Sequence, residues 1–136
     1  MIDPWNRVLT NLKIAEKGIC SNVTGSETDS PSAFPAMFVA VIDNREDAMD
    51  LENTENGVHS SIRVQTFSNK SLYEARTVMS KACDAMRQMG YRRSFGPREI
   101  ENVHDRNVKR VEARFRRFVG DVDYDIPLFE EAETDP

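Results

Sequence analysis

Apolar positions recur along this chain with helical spacing in some stretches and strand spacing in others, and the periods divide it into elements. Trp5, Val8, Leu9, Leu12 and Ala15 recur at helical spacing. Asp3-Pro4 supplies a start, because an aspartate can cap free amides and proline at the first helical position loses no hydrogen bond. Gly18 supplies a stop. Ser21 to Ser32 is then almost entirely small, polar or acidic, with Gly25 and Pro31, and reads as a loop.

Met37 to Ile42 is an unbroken apolar run between Pro35 and Asp43-Asn44, which predicts a strand buried on both faces. Val58 to Phe67 alternates instead. Val58, Ile62 and Val64 fall on one face and His59, Arg63 and Gln65 on the other, as expected of a strand with a wet side. The two strands are expected to pair antiparallel. Residues 44–57 between them form an acidic connection of 14 residues ending in the turn signal Asn56-Gly57. A usual hairpin loop has only about 2 to 5 residues.

The strongest helical signal lies between Ser71 and Met89. Ser71-Leu72-Tyr73-Glu74 is a capping box, in which hydroxyl and carboxylate satisfy two amides that a helix start leaves free. Leu72, Ala75, Met79, Ala82, Met86 and Met89 follow at steps of three and four, widened by Val78 and Cys83, and Gly90 is placed to end the helix in a left-handed conformation. The methionines read as core filler against a sheet.

Tyr91 to Phe95 predicts a further strand, interrupted by Gly96-Pro97. Val108 to Val119 fits two periods: Val108, Val111, Phe115 and Phe118 have helical spacing, whereas Val111, Ala113, Phe115 and Val119 fit a strand face. Read as a strand, it places Arg110, Glu112, Arg114 and Arg116 on the opposite face, a basic ladder that needs solvent or acids. The expected fold is therefore α+β, a mainly antiparallel sheet of about four strands packed against an N-terminal helix and a long central helix. The 136 residues suit a single domain over 1–120, followed by an acidic C-terminal tail, 121–136, mobile at its extremity.

Charge changes this picture more than composition does. The net charge of −5 conceals three blocks. Asp43 to Glu55 holds six acids against Arg45, Arg87 to Arg117 holds ten bases against four acids, and Asp121 to Pro136 holds seven acids and no base. Such blocks neutralise each other within the domain or face complementary blocks on a neighbouring copy. The candidate contact residues are Glu46, Asp47, Asp50, Glu52 and Glu55 in the acidic connection, and Arg110, Arg114 and Arg116 on the arginine strand.

Catalytic and cofactor chemistry fails on inventory. His59, His104, Cys20 and Cys83 are scattered, and none stands at ligand or nucleophile spacing with another. Gly90 and Gly96 lack the lysine and spacing of a phosphate cradle, so no cofactor is expected and the chain does not read as an enzyme. The amino terminus has no basic region followed by an apolar run, and nothing approaches the roughly 20 apolar residues of a membrane span, which predicts a cytosolic protein with no membrane partner. Arginines interleaved with Tyr91, Phe95, Phe115 and Phe118 are compatible with nucleic-acid binding, but an overall pI of about 5.1 argues against it.

Several stretches, in order, carry a resemblance: Phe34-Pro35 leading into the apolar strand, Ser60 to Phe67, the helix with Ala75 and Met86, Met89-Gly90-Tyr91, and Asp105 to Phe118 with Arg110 and Arg114-Phe115-Arg116. From Phe34 to Val119 the chain resembles the tail completion, or tail terminator, proteins of long-tailed bacteriophages, also called minor capsid proteins. The resemblance implies a sheet packed by helices, with subunits in a homo-oligomeric ring of six at the head-proximal end of the tail tube. It implies the major tail tube protein and a head-completion protein as partners, no catalytic residues, and no sequence-specific nucleic acid. Such a subunit resides in the virion tail at the head-tail interface, and in the host cytoplasm during assembly. The competing readings are a nucleic-acid-binding module using Arg92 to Arg117 and another phage connector subunit.

Overall fold

The computed structural model describes residues 4–25, 31, 33–47, 57–101, 107–120 and 126–129. Two helices, α1 (Trp5–Ala15) and α2 (Leu72–Gln88), lie on one face of a five-stranded sheet. The strands are β1 (Asn22–Thr24), β2 (Ala36–Asp47), β3 (Gly57–Ser68), β4 (Arg92–Ile100) and β5 (Lys109–Gly120), in the spatial order β1-β2-β3-β5-β4. All pairings are antiparallel except β1 with β2. The α+β class and mainly antiparallel sheet agree with the sequence reading, with one strand more.

That extra strand comes from the stretch expected to be a loop. Val23 is the one buried side chain of β1, and the parallel pairing sets Asn22 opposite Ala36 and Thr24 opposite Phe38. Beyond Thr24 the role of partner passes to a side chain: the Trp5 indole N–H donates to the Val39 carbonyl at 3.2 Å. Gly25 makes room for that ring, since a Cβ there would stand 2.2 Å from it.

Between helices and sheet lies the main core, in which Val8 and Leu12 of α1 and Ala75, Val78, Met79, Ala82, Ala85 and Met86 of α2 meet Met37, Val39, Ile62, Val64, Val111, Ala113 and Phe115. Burying each such aliphatic or aromatic side chain contributes about 1.5 to 3 kcal/mol relative to exposure. The methionine stripe of α2 thus faces the sheet. Only the first half of the apolar run behaves as expected of a doubly buried strand: Met37, Phe38 and Val39 are buried, whereas Val41 and Ile42 are 40% and 49% exposed. A bulge between Val41 and Asp43 shifts the register there. β2 and β3 stay paired through Asp47 and Gly57, so the expected connection of residues 44–57 is in part a longer hairpin ladder.

The capping of α2 differs in one partner. Ser71 Oγ accepts the Glu74 N–H at 3.1 Å, as the capping box requires. The reciprocal bond runs through Ser68, whose hydroxyl donates to Glu74 Oε1 at 2.7 Å and accepts the Ser71 N–H at 3.2 Å. At the other end Gly90 has φ +82°, the left-handed conformation expected. Helix α1 has Pro4 as its N-cap residue, one position before the first helical turn, while Asp3 lies outside the described residues. Gly96-Pro97 bends β4 without ending it, with register shifts on either side of Phe95.

Part of the expected acidic tail belongs to the fold. Ile126 is buried in the main core and Phe129 packs against it. Asn11, itself fully buried, donates to the Pro127 carbonyl at 2.7 Å and accepts the Phe129 N–H at 2.8 Å. Polar but buried, Asn11 is satisfied by a segment 116 residues away.

Candidate functional site

The other face of the sheet carries no helix among the described residues, and the strand alternation loads it with arginine. Gln65 of β3 lies opposite Glu112 of β5, Arg63 opposite Arg114, Ser61 opposite Arg116 and Phe67 opposite Arg110. On the far side of β5, β4 places Arg92 opposite Arg116, Phe95 opposite Arg114 and Arg98 opposite Glu112. The centre of this face is a buried carboxylate. Glu112 is 3% exposed, accepts Gln65 Nε2 at 2.6 Å, and accepts Arg114 Nε at 3.0 Å and Nη2 at 2.9 Å through its second oxygen. Arg63 Nε stands 3.9 Å away, and Arg110 donates to the Gln65 carbonyl oxygen at 2.8 Å.

Rings hold the same guanidinium groups from the side. Arg63 lies 6.0 Å from the Phe38 centroid, Arg110 5.3 Å from Phe67, and Arg114 4.9 Å from Phe95. Phe38 and Phe67 form a second apolar cluster with Ala36 and Val108 on this face. Three arginines are therefore fixed between one buried acid system and three aromatic faces, each cation–π contact contributing about 0.5 to 1 kcal/mol where exposed. A rigid, positively charged plate results.

The sequence-predicted residues divide accordingly. Arg110, Arg114 and Arg116 share the bare face, as the strand reading required; Arg110 and Arg114 converge on the Gln65–Glu112 pair, while Arg116 stands nearer the end of the sheet, beside Arg92. Glu46 and Asp47 continue β2, paired with Val58 and Gly57, and Asp50, Glu52 and Glu55 lie outside the described residues. The wet side expected for β3 is a correction: Gln65 and Phe67 on that side are buried. Neither the burial of Glu112 nor the seating of Arg63 was foreseen, because alternation reports which face a residue takes and not how deeply its neighbours cover it.

Other titratable groups stand apart. Glu16 is fully buried beneath α1's end, both carboxylate oxygens lack a hydrogen-bond partner among the described residues, and burial pushes its pKa up to about 8 against the opposing pull of the Lys81 charge. Burial likewise pushes the Cys20 thiol up to about 11, and Cys20 Sγ donates to the Pro35 carbonyl at 3.3 Å. Cys20 and Cys83 are free thiols, and no group of three or more His, Cys, Asp or Glu side chains among the described residues could hold a metal ion. No helix among the described residues is long and apolar enough to cross a membrane.

This architecture, two helices on one side of a mixed five-stranded sheet with an arginine plate on the other, has a counterpart among solved structures. The chain is similar to a chain of the "Virion of native gene transfer agent (GTA) particle", with a TM-score of 0.50 and 16% sequence identity, covering 80% of this chain and 84% of that one. At that identity the likeness is one of fold. No family model and no curated protein matches the sequence.

Proposed function

We propose that this chain is a structural subunit of a phage-type virion, and within it a tail terminator or completion subunit that forms a ring at the head-proximal end of the tail tube. The observation that carries the reading is a fold shared over most of its length with a chain of a virion particle. The arginine plate adds to it. A head-to-tail ring needs two different complementary patches on every subunit. Arg110, Arg114 and Arg116 supply one, and the acidic hairpin end with Glu46, Asp47, Asp50, Glu52 and Glu55 supplies the other. In this reading the subunit forms a hexamer with itself, stops growth of the major tail tube protein, and presents its outer rim to a head-completion protein. It is assembled in the host cytoplasm and resides at the head-tail interface.

The arrangement of the aromatic residues counts against nucleic acid as the target of the plate. Single-stranded binders offer open ring faces on which bases stack. Here guanidinium groups lie over Phe38, Phe67 and Phe95.

Electron microscopy of purified protein mixed with tail tubes tests the proposal, with light scattering to follow ring formation. Rings capping one end of each tube are expected. Tubes that keep growing at both ends in its presence exclude the terminator role, and DNA binding that weakens steeply with added salt in the absence of any capping favours the nucleic-acid reading instead.

A further inference from the structure

At the end of the sheet the bare face passes into an open cleft of about 800 Å³, lined among the described residues by His59, Ser61, Gly90, Arg92, Arg116 and Arg117 with the Phe118 ring. Its electrostatics differ from those of the plate. Arg92 and Arg116 face each other directly across β4 and β5, and like charges in that position repel unless an anion lies between them. Both are exposed, and no carboxylate among the described residues is within ion-pair distance of either. Arg117 is fixed beside them by donating to the Met89 carbonyl at 2.6 Å and the Phe118 carbonyl at 3.1 Å. The cleft is thus a preorganised site for several carboxylates.

The chain itself contains a match. Beyond Phe129 it continues Glu130-Glu131-Ala132-Glu133-Thr134-Asp135-Pro136, four acids with no base. Phe129 is held by Asn11 and packs beside Ile14, Ala15, Lys81, Ala85 and Gln88 at the C-terminal half of α2. Gly90, in the cleft, follows the end of that same helix. From Lys81 to Gly90 the backbone advances about 14 Å, whereas seven extended residues span about 23 Å. The segment reaches.

We infer that residues 130–136 of the same molecule occupy the Arg92–Arg116–Arg117 cleft, placing acidic side chains between Arg92 and Arg116. The inference stands whether or not the protein belongs to a virion. A tethered segment of this length acts at an effective concentration in the mM range, so it outcompetes the same peptide added free in solution.

The test uses the full chain, a chain ending at Phe129, and a labelled peptide Glu-Glu-Ala-Glu-Thr-Asp-Pro followed by fluorescence anisotropy. The shortened chain is expected to bind the peptide at least about tenfold more tightly than the full chain does. Arg92→Gln and Arg116→Gln in the shortened chain, both exposed positions that leave the core intact, are expected to abolish that binding. Equal binding by the full and shortened chains overturns the inference, as does no binding by either. Inorganic phosphate competing as well as the peptide makes the cleft a general anion site and overturns it too. If shortening the chain dissolves an oligomer seen by sedimentation, the segment sits on a neighbouring copy and the same-molecule assignment is wrong.

Discussion

Gln65 and Glu112 stand directly opposite each other on β3 and β5 and share a 2.6 Å hydrogen bond, both side chains 3% exposed on a sheet face that carries no helix. Their burial is produced by the side chains stacked over them, since Arg63, Arg110 and Arg114 close the site from above while Phe38, Phe67 and Phe95 wall it in. Removing the carboxylate therefore strands several donors at once. Glu112→Ala is expected to lower stability in urea by about 2 to 4 kcal/mol, the range for breaking a buried ion pair from one side. Glu112→Gln keeps the volume but presents an amide to a ring of donors, and is expected to cost less. A change under half a kcal/mol for the alanine variant contradicts the central role of this carboxylate.

Glu16 predicts a pH dependence. With its pKa raised from 4.5 to about 8 by burial, the folded chain keeps a proton that the unfolded chain releases. Below pH 4.5 both states are protonated and there is no penalty; between 4.5 and about 8 stability falls as pH rises, and above that the loss is complete. Glu16→Gln removes the titration. Melting temperatures measured from pH 5 to 9 are expected to converge on a flatter profile in the variant, and parallel profiles for the two proteins would contradict the assignment.

Asn11 predicts a local effect. It is the clamp on Pro127 and Phe129, so Asn11→Ala should release the segment 126–129 at a cost of about 1 to 3 kcal/mol. Asn11→Asp retains the acceptor for the Phe129 N–H but sets a charge against the Pro127 carbonyl, and is expected to be worse. Faster amide exchange at Phe129, with little change in α2, is the signature to look for.

Two glycines make a controlled comparison. Gly18 and Gly90 both have left-handed φ values, +86° and +82°, but a Cβ on Gly18 meets nothing within 4 Å while one on Gly90 stands 3.3 Å from the Arg117 guanidinium. Gly18→Ala is expected to cost about 1 to 2 kcal/mol from backbone strain alone. Gly90→Ala should cost more, because it also pushes Arg117 against its bond to the Met89 carbonyl. Equal losses in thermal denaturation would show that Arg117 yields freely.

How far the sequence could be read follows from what each signal measures. The α2 stripe and Gly90 were legible because cap, period and stop lie within twenty residues and agree with one another. β5 was legible only as one of two periods; pairing with β3 on one side and β4 on the other selects the strand. β1 was invisible, since three residues with one buried valine carry no period, and its existence depends on the β2 edge. The apolar run Met37 to Ile42 misled at its end because the bulge turns Val41 and Ile42 outward, an event set by backbone register. At the candidate site, the shared face of Arg110, Arg114 and Arg116 was readable from alternation. The depth of Glu112 was not, because it depends on side chains from four strands.

The Asn11 clamp has a consequence for how the molecule is made. A ribosome delivers α1 first and residues 127–129 more than a hundred residues later, so the first helix emerges with a polar group facing its own core and waits for nearly the whole chain before that group is satisfied. Closing so long a loop is slow relative to forming α2 with its neighbouring strands. The nascent protein therefore passes through a stage in which sheet and central helix can be in place while α1 is not yet locked, and the finished subunit is distinguished from an unfinished one by a few residues near its end.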